Sequence, residues 1–164
     1  MLGLGNIGKE VARIGLALGM TVIAWSHNLT AEIAGAAGAT LVAKDVLFRQ
    51  ADIVTIHLVL SRRTIGLVGA AELALMKPTA RLINTSRGPI VDQAALIEAL
   101  QAHRIAGAAL DVFDAEPLPV GHPFRTLDNV LATPHIGYVT EELYRTFYGD
   151  AAASIAAWLD TNAA

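Results

Sequence analysis

The sequence predicts an α/β domain: one parallel sheet with helices on both faces. Three observations predict it. Short runs rich in Ile, Val, Leu and Ala alternate with amphipathic segments along the chain, and such alternation with short connections builds a parallel sheet through right-handed crossovers. The runs are continuously apolar, as strands buried on both sides are. Polar residues and glycines gather just past the runs, at the edge where open parallel sheets hold ligands. A chain of 164 residues, 54% apolar and 16% charged, suits a single domain with a large core.

Met1 and Leu2 read as the stub of a first strand, so the first strand is expected to be truncated. Gly3-Leu4-Gly5-Asn6-Ile7-Gly8 follows, a G-x-G-x-x-G string. The first glycine permits a tight turn out of the strand. The second lets backbone approach a pyrophosphate, and the third lets the next helix pack closely on the sheet. That helix would aim its N-terminal N–H groups and dipole at the phosphates. Gly3, Gly5, Asn6, Ile7 and Gly8 are therefore candidate dinucleotide-binding residues of a Rossmann-type sheet; a strand-to-helix turn holding no ligand would carry the same letters.

A helix is expected over residues 6–18, with Ile7, Val11, Ile14 and Leu18 on one apolar face and Gly19 ending it. Residues 21–25 read as a buried strand. Thr30 can cap a short helix through 37. A brief strand over 40–42, a helix over 44–50 and a strong strand over 52–58 follow. Residues 69–76 read as a helix halted by Pro78. Residues 81–84 form a strand, Asp92 caps a helix through 103, and 105–112 form a buried strand. Residues 113–128 are loop, marked by Pro117, Pro119 and Pro123. A last strand spans 130–132, and an Ala-rich helix runs from about 140 to 159.

Composition narrows the function classes. A net charge of −3 gives no broad attraction to nucleic acid or anionic membrane. The absence of cysteine excludes disulfides, thiolate metal sites and a cysteine nucleophile. No His/Glu pair has helical ligand spacing, so no metal site is expected. Lys9 and Arg13 before the apolar run 14–25 have the outline of an export signal. Gly15, Gly19 and Thr21 interrupt that run, and helix then strand is the preferred reading. A cytoplasmic location is the corresponding expectation.

The residues past the strand ends carry the chemistry. They are residues 3–8, Ser26-His27-Asn28, His57, Thr85-Ser86-Arg87, Asp111, Glu116 and His135. Arg can hold a carboxylate through two parallel hydrogen bonds. His exchanges a proton near neutral pH, and a neighbouring Glu can orient it. His57 suits either the lining of a cofactor cleft or a satisfied core histidine.

Together, Gly3 to Gly8, Asn84-Thr85-Ser86-Arg87-Gly88, Ala108-Ala109-Leu110-Asp111-Val112-Phe113, Glu116-Pro117-Leu118 and Thr133-Pro134-His135-Ile136-Gly137 resemble the NAD-binding domain of the D-isomer-specific 2-hydroxyacid dehydrogenases. The resemblance covers nearly the whole chain. It implies that Arg87 binds the substrate carboxylate and polarises its carbonyl, that Glu116 supports His135, and that His135 is the general acid/base. It implies that Asp111 meets the nicotinamide carboxamide and that Thr85 and Gly137 line the nicotinamide pocket. The implied reaction is reversible hydride transfer between a nicotinamide and C2 of a small 2-oxo or D-2-hydroxy acid. The implied assembly is a homodimer.

The sequence departs from the family pattern in three places. Ser26, followed by His27 and Asn28, stands where an acid usually reads the ribose. No acid occurs from Val11 to Ala31, and no Lys or Arg from Ile14 to Ala43. Either NAD or NADP is expected to bind, with no strong preference. Leu58-Val59-Leu60-Ser61 stands where the family commonly has a proline after the His. The family's second domain, which forms the substrate wall, is expected to be absent, so residues 1–164 would constitute the dinucleotide-binding domain alone. Two readings follow: a dehydrogenase domain that turns over substrate, or a catalytically silent NAD(P)-binding or regulatory module derived from one.

Overall fold

The structure is a computed structural model that describes residues 1–162. It divides into two compact units, one ending at Pro134 and one beginning at His135.

The first unit is a twisted parallel sheet flanked by helices. Its helices are α1 (Asn6–Ala17), α2 (Ala31–Ala36), α3 (Lys44–Gln50), α4 (Ala70–Leu75) and α5 (Gln93–Gln101). Its strands are β1 (Ile23–Ala24), β2 (Thr40–Leu41), β3 (Ile53–Ile56), β4 (Arg81–Asn84), β5 (Gly107–Leu110) and β6 (Val130–Ala132). β1 pairs with β2, and β3 to β6 pair in sequence order, all parallel. Leu2 joins the two groups by bridging Trp25 on one side and Ile56 on the other. The resulting order is β2, β1, residues 1–2, β3, β4, β5, β6, the strand reversal of a doubly wound dinucleotide fold.

Local chemistry starts and stops the helices where the sequence indicates. Thr30 Oγ1 accepts from Ile33 N–H at 3.2 Å, and Asp92 Oδ1 accepts from Ala95 N–H at 3.0 Å. Glu72 reaches back to Gly69 N–H at 3.0 Å and also pairs with Lys44 at 2.7 Å, tying α4 to α3. That Lys44 contact, with the backbone bond, holds the Glu72 carboxyl below its usual range against the opposing effect of burial. The loop 113–128 contains one 3-10 turn, Pro123–Arg125, started by His122.

Two features differ from the sequence reading. The stripe of α1 formed by Ile7, Ile14 and Leu18 is exposed, at 71%, 51% and 76%. The buried side consists of Gly8 and Ala12, because small residues let the helix axis approach the sheet closely. The strands also bury one face better than the other. Leu2, Val54, Ile56 and Leu82 are fully buried beneath α3, α4 and α5, packed with Leu47, Phe48, Leu73, Leu96 and Leu100. On the opposite face Val22 and Ala24 pack with Ala12 of α1 and Ala34 of α2, whereas Ile53 is 41% exposed. Ile53, Thr55 and Ile83 there line an open groove of about 560 Å³ with Val11, Ile14 and Met20. A continuously apolar run does not distinguish a covered face from a partly covered one.

The second unit is dominated by α6 (Glu141–Asn162), a single 22-residue helix with no buried residue. Thr140 caps it through Leu143 N–H at 3.2 Å, and Arg145 pairs with Glu141 at 2.6 Å. Tyr144, Phe147, Tyr148, Ile155, Trp158 and Leu159 leave an exposed apolar stripe. No described helix is long and apolar enough to cross a membrane.

Glycine contacts give a direct test of the packing. A Cβ at Gly88 would lie 2.2 Å from the carbonyl carbon of Phe113, whereas one at Gly35 meets nothing within 4 Å. Gly88→Ala is expected to destabilise the protein by about 1–3 kcal/mol, and Gly35→Ala, inside α2, to leave stability equal or slightly raised. Thermal denaturation followed by circular dichroism checks this; a Gly88→Ala melting curve overlying wild type would contradict it.

Candidate functional site

The glycine turn leaves the sheet at its carboxyl edge. Gly3 has φ +92°, a conformation that only glycine adopts at little cost. A Cβ there would stand 2.5 Å from the His57 carbonyl oxygen, so the turn and the end of β3 touch backbone to backbone. A Cβ on Gly8 would in turn stand 2.5 Å from the Gly3 carbonyl oxygen. Between them Gly5, Asn6 and Ile7 are exposed, and Gly5 has open space where a Cβ would project. No side chain caps α1, and its first N–H bond to a carbonyl is Lys9 to Gly5 at 2.9 Å. The N–H groups of the first turn are thus available to an anion at the positive end of the helix dipole. This donor set, with bare backbone at Gly5, fits a pyrophosphate.

His57 lies beside this turn. Its Nε2 is 3.0 Å from Thr55 Oγ1, its neighbour on the same side of β3. Burial lowers the His57 pKa below the ordinary imidazole value, so the ring is neutral at pH 7. Ser26, His27 and Asn28 follow β1. The His27 ring meets Trp25 edge-on, with centroids 4.9 Å apart, and its Nε2 is 3.4 Å from the Arg63 carbonyl oxygen.

The turn after β4 is held from inside. Asn84 is 1% exposed. Its Oδ1 accepts from Ser86 N–H at 3.0 Å and its Nδ2 donates to the Arg87 carbonyl at 2.9 Å. Such an Asx side chain substitutes for backbone turn partners. Ser86 Oγ donates to the Leu58 carbonyl, fastening this turn to the segment after β3. Thr85 and Arg87 are exposed, and Arg87 Nη1 donates to the Ser86 carbonyl at 2.6 Å.

Gly88 then packs directly on the backbone of Phe113 and Asp114. This contact brings the Arg87 turn alongside the loop that carries Glu116. Glu116 Oε1 accepts from Phe113 N–H at 2.9 Å, which folds the acidic side chain back toward that contact. The Glu116–Pro117 bond is cis.

Asp111 is 7% exposed at the end of β5. Thr133 Oγ1, past the end of β6, donates to Asp111 Oδ1 at 2.6 Å, a length typical of a hydroxyl on a carboxylate. Thr133 N–H also donates to the Leu110 carbonyl at 2.9 Å, so Thr133 bonds β5 through both backbone and side chain. The chain passes through Pro134 into the second unit. His135 there has φ +56° and meets the Tyr138 ring edge-on, with centroids 5.8 Å apart. Gly137 lies in the turn closed by the Val139 N–H to Ile136 carbonyl bond at 2.9 Å.

Within the first unit, every sequence-predicted candidate therefore follows the carboxyl end of a parallel strand. Gly3, Gly8 and His57 are in direct contact, and the Arg87 turn abuts the Glu116 loop. Three residues with organising roles were given none by sequence reasoning: Thr55, and Asn84 and Thr133, which entered there only as letters of the motifs. Asn84 was detectable, since an Asn two residues before a Ser and three before an exposed Arg has the spacing of an Asx turn. Among the described residues no group of His, Asp and Glu could hold a metal ion.

Residues 1–137 match the family described as D-isomer specific 2-hydroxyacid dehydrogenase, NAD binding domain. The chain is 46% identical over 142 residues to a D-3-phosphoglycerate dehydrogenase of Synechocystis, covering 87% of this chain and 26% of that protein. It is 47% identical over 142 residues to a glyoxylate reductase of Aeropyrum pernix, covering 87% of this chain and 42% of that protein. Among solved structures, the NAD-complexed D-isomer specific 2-hydroxyacid dehydrogenase of Lactobacillus delbrueckii ssp. bulgaricus superposes with a TM-score of 0.79 at 36% identity, over 88% of this chain and 47% of that one. The chain thus spans less than half the length of these relatives. With the doubly wound sheet and glycine turn already described, the match over residues 1–137 places the chain in the D-isomer-specific 2-hydroxyacid dehydrogenase family, as its NAD-binding domain.

Proposed function

We propose that the chain is the dinucleotide-binding part of an enzyme that interconverts a small 2-oxo acid and its D-2-hydroxy acid. The observation that carries this reading is the seating of Gly88 on Phe113 and Asp114, which sets the Arg87 turn beside the Glu116 loop at the sheet edge that also bears the glycine turn. Bound nicotinamide would supply or accept the hydride. Everything else falls to side chains of this chain.

Arg87, exposed at the tip of a turn pinned by Asn84, would hold the substrate carboxylate and stabilise charge growing on the C2 oxygen. Preorganised donors of this kind are worth about 10²–10³ in rate. His135 would give a proton to that oxygen in reduction and remove it in oxidation, a contribution of about 10²–10⁴. Glu116 would orient His135 and favour its protonated form. Gly5, Asn6, Ile7 and Gly8 would bind the pyrophosphate, Ser26, His27 and Asn28 the adenosine end, and Thr85, Asp111 and Gly137 the nicotinamide. His57, neutral and bonded to Thr55, would line the cleft without adding charge. The remaining wall around the substrate belongs, in this reading, to the part of the relatives that the chain does not span. The exposed stripe of α6 and the open face of the sheet are apolar surface suited to a homodimer.

Thr133 is a positioning residue in this scheme. It fixes the carboxylate of Asp111 by a hydrogen bond to a charged group, worth about 1.5–3 kcal/mol when intact.

Two expectations follow. With NADH and glyoxylate, pyruvate or hydroxypyruvate, the protein should oxidise the cofactor, and Arg87→Ala and His135→Ala should each lower kcat/KM by about 100-fold or more. Absorbance at the NADH band reads this out. Turnover indifferent to both substitutions would refute the assigned roles, and cofactor binding without turnover would favour the silent binding module. Separately, Thr133→Val should weaken NADH binding about five- to tenfold, and Thr133→Ser should restore it. Equal affinities for wild type and Thr133→Val by titration calorimetry would remove Thr133 from the scheme.

A further inference from the structure

The ribose end of the dinucleotide site has no acid in its own segment and, by sequence alone, no base either. The fold supplies one from elsewhere. The His27 Nε2 to Arg63 carbonyl contact of 3.4 Å spans 36 positions in the chain. It sets the Arg62-Arg63 dipeptide beside Ser26, His27 and Asn28, where a Rossmann sheet receives the adenosine ribose. We propose that Arg62 and Arg63, with Ser26 and Asn28, form a 2′-phosphate subsite, and that the protein binds NADP in preference to NAD. This rests on the dinucleotide-binding reading above.

Three observations support it. First, the turn carrying the two arginines is braced. Thr64, 5% exposed, donates from Oγ1 to the Val59 carbonyl at 2.8 Å and accepts from Ser61 N–H at 2.7 Å. Thr64 N–H and Ile65 N–H both donate to the Ser61 carbonyl, at 2.9 and 3.1 Å. The backbone that carries the arginines is thus fixed, so binding a ligand would order only their side chains. Second, both arginines are exposed, and among the described residues neither forms an ion pair. A guanidinium without such a partner can give paired N–H bonds to a phosphate dianion. Third, the position whose carboxylate would repel such a phosphate is Ser26, a half-buried hydroxyl, with Asn28 exposed beyond it. Ser and Asn can donate to a phosphate oxygen. An NAD-selective site accepts from ribose hydroxyls through an acid at this position, and no acid stands between Val11 and Ala31.

Titration calorimetry of the whole chain with NADPH and with NADH, for wild type and for Arg62→Ala/Arg63→Ala, tests the proposal without reference to turnover. Wild type should bind NADPH more tightly than NADH. The double variant should lower the NADPH-to-NADH affinity ratio at least tenfold, and NADPH binding should weaken with added salt more steeply in wild type than in the variant. A ratio unchanged by the double substitution would overturn the subsite, as would NADH bound more tightly than NADPH by wild type. Failure of wild type to bind either dinucleotide would overturn the underlying dinucleotide reading, and the subsite with it.

Discussion

Three backbone hydrogen bonds made by Leu2 and Gly3 hold the site-bearing edge together. Leu2 N–H donates to the Thr55 carbonyl at 2.9 Å and its own carbonyl accepts from His57 N–H at 2.7 Å, while Gly3 N–H donates to the Trp25 carbonyl at 2.9 Å. Residues 1–3, bonded to Trp25 on one side and to Thr55 and His57 on the other, thereby unite β1 and β2 with the four-stranded β3 to β6. The chain then turns at a positive φ against the His57 carbonyl, at a separation that tolerates no side chain. With this seam in place, the ends of β1, β3, β4 and β5 open onto one edge as the glycine turn does. Without it, the glycine turn would have no fixed relation to the residues expected to receive the rest of a dinucleotide.

The loops at that edge are held by side chains that bond to backbone. Asn84 closes the Arg87 turn, Ser86 fastens it to Leu58, Thr64 braces the arginine turn, and Thr133 links Asp111 to β6. Each replaces partners that a loop backbone would otherwise seek in water. Arg87, exposed, therefore stands on a turn closed from within, and Glu116, exposed, is tied to its own loop by the Phe113 N–H. Of these four supports, Asn84 and Thr64 are buried and Ser86 and Thr133 are half-buried.

Much of this was legible in the sequence because local signals agreed. Thr30 and Asp92 mark helix starts by capping chemistry that acts within three residues, and α2 and α5 begin there. The strand runs are apolar, so their existence and order are plain. What was not legible depends on contacts distant in the chain. Ile7, Ile14 and Leu18 have helical spacing, yet close approach to the sheet selects the small side, Gly8 and Ala12. Burying those three larger side chains fully would be worth about 1.5–3 kcal/mol each, which makes their exposure a property of surface left open rather than of local preference. Arg62 and Arg63 look like an ordinary solvated pair until β1 and the segment after β3 are brought side by side. Thr133 looks like a strand-end residue until β5 delivers Asp111 to it.

The central proposal is a dinucleotide lying along this edge, with its nicotinamide end among Arg87, Glu116 and His135. A crystal structure of the protein soaked with NADPH tests that most directly. The predicted result is a pyrophosphate on the N–H groups of residues 6–8, a carboxamide at Asp111, and the guanidinium, carboxylate and imidazole facing one crevice. A dinucleotide bound elsewhere, or an imidazole at 135 turned away from the crevice that Arg87 faces, would contradict it.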